Sequence, residues 1–141
     1  MKIFLDSDVV ISSVISKRGA AHFILNESKN KKIISNYSVE EMTRVAKRGK
    51  VDEKGLSYFI NKSLKIVKSK KSLKKIKKEY KKYIKDENDA HIVAGANQSK
   101  AKILLTYNTK HFLIDDIKKD LGISIMTPGK FLQFLKSQEK S

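Results

Sequence analysis

The chain has 141 residues, no cysteine and a formal net charge of +16, with 31 Lys+Arg against 15 Asp+Glu. That length suits one domain able to bury its own core, and the missing cysteine excludes a disulfide framework, a thiolate zinc site and a cysteine nucleophile, as suits a reducing cytosol. Neither the short apolar run Ile92-Val93-Ala94-Gly95-Ala96 nor Ile3-Phe4-Leu5, interrupted by Asp6, makes a membrane span or a signal peptide.

A cytoplasmic protein with a polyanionic partner is therefore expected, nucleic acid ahead of an anionic membrane surface. Of the basic residues 28 are Lys, and only Arg18, Arg44 and Arg48 are Arg, a skew that also fits a general lysine bias.

Lys2–Leu5 reads as a short buried strand ending at Asp6, with Asp8 placed to cap a helix through Val9, Val10, Ile11 and Val14. Gly19 breaks that helix. Ala20–Glu27 reads as a second helix with Phe23 and Ile24 inward, and Lys32–Ser35 as a second strand. Ser38-x-x-Glu41 has capping-box spacing and opens a helix through Met42 and Val45. Gly49–Asp52 is a turn and Glu53–Ser63 another helix.

Residues 62–85 hold twelve lysines against one acid, Glu79, so most of the net charge is local. Leu73, Ile76, Tyr80 and Tyr83 recur there at helical spacing, which predicts a lysine-rich helical segment packed by one apolar stripe. Asp86-Glu87-Asn88-Asp89 is an acidic start for a helix reaching about Gln98. Lys102–Thr106 and Ile123–Met126 read as strands, with Asp115 and Asp116 capping a short helix toward Lys119 between them. Thr127 caps a closing helix with Pro128 first and Phe131, Leu132 and Leu135 inward. Short apolar strands alternating with helices predict an α/β fold, a parallel sheet covered on both faces. No repeat or Gly-, Ser- or Pro-rich linker divides it, so 1–141 is expected to be a single domain.

Sites in open parallel sheets form beyond the carboxyl ends of the strands. Asp6 ends the first strand, Glu41 lies one turn into the helix after the second, Asp89 starts a helix, and Thr106-Tyr107-Asn108 ends the third. A lone strand-end Asp is usually a helix cap, but together these positions can converge. Carboxylates held close repel one another, and a divalent cation relieves that, with all-oxygen donors suiting Mg²⁺ or Mn²⁺.

Phe4-Leu5-Asp6-Ser7-Asp8-Val9-Val10-Ile11-Ser12 resembles the opening of PIN-domain proteins. Ser35 with Glu41, Met42, Arg44 and Val45 resembles their second motif, and Asp86-Glu87-Asn88-Asp89-Ala90-His91-Ile92-Val93-Ala94 their third. Leu104-Leu105-Thr106-Tyr107-Asn108-Thr109-Lys110-His111-Phe112 resembles the fourth, and Thr127-Pro128-Gly129-Lys130-Phe131-Leu132 the family's common ending. The matches fall in order and cover nearly the whole chain except the lysine-rich segment.

The resemblance implies a PIN-like three-layer fold with a central parallel sheet of about four to five strands. It also implies a Mg²⁺- or Mn²⁺-dependent endoribonuclease, most often the toxin of a VapC-type toxin–antitoxin pair, with a small antitoxin as partner and a homodimeric state. Carried over, Asp6, Glu41 and Asp89 are the metal-site acids, with Asn108 among the catalytic residues and Asp8 and Thr106 in support. Many members have Asp where Asn108 stands, and others pair Asn there with an acid at the position of His111. Asp8 stands where Asn is usual and is expected to restore part of the missing charge. Lys74, Lys75, Lys77 and Lys78 are the expected RNA-binding lysines beside that site. His22 and His91 are expected to be ordinary helix residues, His91 solvated, and His111 a turn residue beside the site.

Two other functions compete. One is a PIN fold with a degraded site that binds RNA or protein without cutting. The other is a haloacid-dehalogenase-like phosphatase, with Asp6 as nucleophile and Asp8 as acid. The latter fails on spacing, since only eight residues separate Thr106 from Asp115 and a further strand must fit there.

Overall fold

The computed structural model describes residues 1–49 and 51–139. Strand β1 (Lys2–Leu5) sends Ile3 and Leu5 to one side and Phe4 to the other, and all three are fully buried. Such alternation requires cover on both faces. β1 lies at the centre of an all-parallel sheet formed with β2 (Lys31–Ser35), β3 (Lys65–Val67), β4 (Ile103–Leu105) and β5 (Ser124–Met126), in the order β3-β2-β1-β4-β5.

Ile3, Leu5, Ile34 and Leu105 share one core with α1 (Ser7–Ile15), α2 (Ala20–Glu27), α3 (Asn36–Lys47), α4 (Glu53–Ser63) and α8 (Pro128–Glu139). On the other face, Phe4, Ile33 and Leu104 pack with α5 (Leu73–Tyr80), α6 (Ala90–Gln98) and α7 (Ile114–Leu121). The α/β architecture expected from the sequence, a central parallel sheet of five strands between two helical layers, is the one observed. No helix among the described residues is long and apolar enough to cross a membrane.

One contact sets how closely α6 approaches the sheet. A Cβ on Gly95 would lie 2.5 Å from Cζ of Phe4, so only glycine lets α6 settle onto β1. Because Asp89 immediately precedes α6 and Asp6 immediately follows β1, this contact also bears on how near the two acids come.

Several local expectations are revised. Asp8 does not cap α1, which begins at Ser7; it sits in the first turn, and its carboxylate is drawn to the loop after β4. Ser38 is not a cap either. Ser35, at the end of β2, accepts from the Ser38 N–H at 3.1 Å and starts α3 earlier, leaving Ser38 buried inside the helix. The segment 62–85 is helical only in part. It holds the end of α4, the edge strand β3, α5 and a 3-10 turn at Lys81–Tyr83. Within the predicted stripe, Ile76 and Tyr83 are buried while Leu73 stays exposed.

Thr127 caps α8 as expected, accepting from the Lys130 N–H at 3.2 Å. The turn expected over Gly49–Asp52 includes Lys50, which lies outside the described residues, as do Lys140 and Ser141.

Candidate functional site

Asp6 is the last residue before α1, its N–H tied to the Leu105 carbonyl at 3.0 Å, so the sheet itself holds it. It is 7% exposed. Its carboxylate accepts from Thr106 Oγ1 at 2.9 Å, and Ser7 Oγ lies 3.5 Å from its other oxygen. Burial, then the charge of Asp8, push its pKa up to about 7; the Thr106 hydrogen bond opposes this, while Glu41 and Asp89 add to it. Thr106 is fully buried and also accepts from the Asn108 N–H at 3.0 Å, which fixes the loop after β4.

Asp8 accepts from the Tyr107 N–H and from Asn108 Nδ2, both at 3.1 Å. Its other oxygen, Oδ1, is buried and has no partner. Burial raises the pKa of Asp8 against those hydrogen bonds. Glu41, in the second turn of α3, faces the same cluster. Ser7 Oγ donates to its Oε1 at 3.0 Å, and His91 Nε2 lies 3.7 Å from its Oε2. The His91 imidazole is the main reason the Glu41 pKa falls, with burial opposing and Ser7 assisting.

Asp89 ends a 3-10 turn, Glu87–Asp89, that leads directly into α6. His111 Nδ1 is 3.3 Å from its Oδ2. Burial raises the Asp89 pKa, His111 counters it, and Asp86 adds repulsion. The His111 turn is anchored from outside. Lys85 N–H donates to the His111 carbonyl at 3.0 Å, Leu113 N–H donates to the Tyr83 carbonyl at 2.9 Å, and Ile84 pairs with Phe112 in an isolated antiparallel bridge.

The sequence-derived residues thus gather at the carboxyl end of β1 and β4, though not all in one knot. Asp6, Asp8, Glu41, Thr106 and Asn108 are joined through shared hydrogen bonds. Asp89 lies within electrostatic reach of Asp6 but is paired with His111. Among the described residues, no three acidic or histidine side chains lie close enough together to grip a metal ion as they stand. The chemistry of the donors nevertheless suits a hard divalent cation. They are carboxylate oxygens, held at a cost in charge repulsion, and the buried Asp8 Oδ1 is left without a partner.

Lys74, Lys75 and Lys78 are exposed and Lys77 half-buried on α5, which packs against α6 and the turn that carries Asp89. Sequence reasoning missed Ser7 and misplaced His91, whose side chain is only 10% exposed and faces Glu41 rather than solvent. No local pattern announces either role, because both depend on partners far away in the chain.

A family model for the PIN domain matches residues 2–110. No curated protein matches the chain. Among solved structures it is similar to VapBC2 from Rickettsia felis bound to a DNA fragment from their promoter, at 16% identity over 90% of this chain and 98% of that one, with a TM-score of 0.63. A toxin-antitoxin complex from Klebsiella pneumoniae follows at 22% identity, 89% and 97% coverage and a TM-score of 0.62. VapBC-1 from nontypeable Haemophilus influenzae gives 14%, 92%, 99% and 0.62 for the same quantities. At these identities the likeness is one of fold.

Proposed function

The chain belongs to the PIN domain family, and from that premise we propose that it is a metal-dependent endoribonuclease that hydrolyses RNA phosphodiester bonds. The observation that carries this reading is the carboxylate cluster gathered around the buried Asp6 at the sheet's carboxyl end, where burial and then repulsion lift Asp6 to about 7. Folding tolerates such a cost where a cation is to be bound. Asp6, Glu41 and Asp89 would hold Mg²⁺ or Mn²⁺, which when bound supplies an activated water and neutralises charge at the scissile phosphate.

The chain's own residues prepare the site. Thr106 orients the Asp6 carboxylate by hydrogen bonding, and Ser7 with His91 keeps Glu41 ionised and able to accept from water. Asn108 ties Asp8 to the loop after β4 as a neutral donor. Lys74, Lys75, Lys77 and Lys78 would attract the RNA backbone beside Asp89.

A solved neighbour described as a toxin–antitoxin complex, beside two described as VapBC structures, supports a further part of the proposal. The chain would be a cytoplasmic VapC-type toxin, homodimeric and silenced by a small antitoxin. The test is cleavage of RNA by the purified protein with Mn²⁺. Wild type cleaves, whereas Asp6→Asn and Asp89→Asn remain folded and do not. Undiminished cleavage by either variant overturns the assignment.

One observation favours a second reading, a PIN fold that binds RNA without cutting it. Asn108 is neutral and engaged with Asp8, and among the described residues no three acidic or histidine side chains stand ready for an ion. Such a protein would retain RNA binding and show no Mn²⁺-dependent turnover.

A further inference from the structure

The acidic carboxyl end of the sheet has a basic counterpart at its amino end. Lys2 and Lys31 are direct partners across β1 and β2. Lys102 immediately precedes Ile103, the partner of Ile3 across β1 and β4. Lys65 opens β3 opposite Ile33, two residues along β2 from Lys31. Residues two apart on a strand share a face, as do cross-strand partners. Lys31, Lys2 and Lys102 therefore form one row across three adjacent strands, and Lys65 lies on the same face one strand further out. Phe4, Ile33 and Leu104, which follow on that side, are buried together in one core, as this register requires.

All four lysines are exposed. Lys2 and Lys65 also line a recess of about 410 Å³ with Lys100, Gln98 and Ser99, and none of its described lining residues carries a carboxylate. Like charges directly opposite one another on a sheet are destabilising. Lys65 and Lys31 face each other closely enough that hydrogen bonding and then charge from Lys65 lower the Lys31 pKa, with Lys2 adding repulsion. The four residues come from four separate segments of the chain and are brought together only by the register of the sheet. At a strand spacing of about 4.8 Å, Lys31, Lys2 and Lys102 form a short row of charges, with Lys65 set two residues further along the neighbouring strand. That geometry suits a linear polyanion better than one small anion.

We propose that this lysine row is a second nucleic-acid contact, which grips the phosphate backbone of RNA away from the segment held at the carboxylates. The identity of the polyanion rests on the ribonuclease reading; the existence of the site does not. The two ends are roughly 13 Å apart along β1 at about 3.3 Å per residue, and because helices cover both faces of the sheet, an RNA that joins them must take a longer path over a helical layer. Only RNA longer than a few nucleotides can therefore touch both.

The test neutralises the row in the full chain, as Lys2→Gln, Lys31→Gln, Lys65→Gln and Lys102→Gln together. Binding is measured by fluorescence anisotropy in EDTA, which prevents metal-dependent cleavage, with RNAs of 4 and 20 nucleotides over a salt series. A circular-dichroism melt checks folding, and the double variant Lys31→Gln, Lys65→Gln serves if the quadruple one fails to fold. With each single-strand phosphate contact contributing about 0.7 to the log–log salt slope, the slope for the long RNA should fall by about 2 to 3. Its affinity at 0.1 M salt should drop at least tenfold, while binding and Mn²⁺-dependent cleavage of the short RNA stay unchanged.

An unchanged slope overturns the proposal. So does an equal loss on neutralising Lys47, Lys62, Lys119 and Lys136, or dependence on the row by poly-glutamate but not by RNA. Failure of the ribonuclease reading looks different: wild type then cleaves no RNA, while the difference in binding persists.

Discussion

Replacing Asp6 by Asn should stabilise the protein at neutral pH while removing its proposed activity. Asn has the same shape, its carbonyl can accept from Thr106 Oγ1, and its amide can donate to Ser7 Oγ, so the hydrogen bonds survive. What disappears is the cost of a buried charge. The Asp6 pKa rises from 3.8 to about 7 on folding, so the folded chain keeps a proton that the unfolded chain releases. That contribution to stability is whole below about pH 4 and is lost as the pH rises toward 7. At about 1.4 kcal/mol per pH unit, the full cost is roughly 4 kcal/mol. Asp8, Glu41 and Asp89 share the repulsion, and uptake of a proton by any of them relieves it, so about 2 kcal/mol is the expected gain. For a chain of this size that corresponds to a rise in Tm of about 4–8 °C. Urea denaturation in EDTA should show the gain at pH 8 and almost none at pH 4. No gain at pH 8, or an equal gain at both values, would refute the electrostatic account.

Thr106→Val removes the donor to Asp6 and the acceptor for the Asn108 N–H, and should cost about 1–3 kcal/mol. Thr106→Ser should recover most of this, and a loss for Val under about 0.5 kcal/mol by urea denaturation at pH 8 counts against the network. Gly95→Ala places a methyl group against the buried Phe4 ring and should destabilise by about 1–3 kcal/mol through overpacking; an unchanged thermal midpoint would mean that α6 has room to shift. Neutralising Lys74, Lys75, Lys77 and Lys78 to Gln should weaken RNA binding and flatten its salt dependence, and unaltered binding would leave α5 as a solvated helix.

Much of the fold was legible because the strands are short apolar runs with polar ends, and Asp6, Glu41 and Asp89 stand out as carboxylates just past such runs or at helix starts. What could not be read depended on distance in the chain. Asp8 looks like a cap because local spacing favours one, but the Tyr107 N–H and the Asn108 amide outcompete the helix for its carboxylate. Ser38 looks like a capping box only while Ser35 is taken to belong wholly to the strand. The strand β3 hides in Lys65-Ile66-Val67, three residues among lysines, and forms because β2 offers it an edge. His91 reads as solvated until α3 brings Glu41 against it.

The backbone clamp between residues 83–85 and 111–113 acts as a mechanical stop. It closes the end of the lysine-rich segment just before Asp89, and it fastens the stretch leading into Asp89 to the stretch carrying His111. Changes of backbone length upstream of the clamp therefore reach the Asp89–His111 pair through the packing of α5 on α6 rather than along the chain. The exposed lysines of residues 68–82, unlike Ile76, which is buried against α6, are positions that selection or engineering can rewrite for a different polyanion while the backbone of the carboxylate site stays fastened.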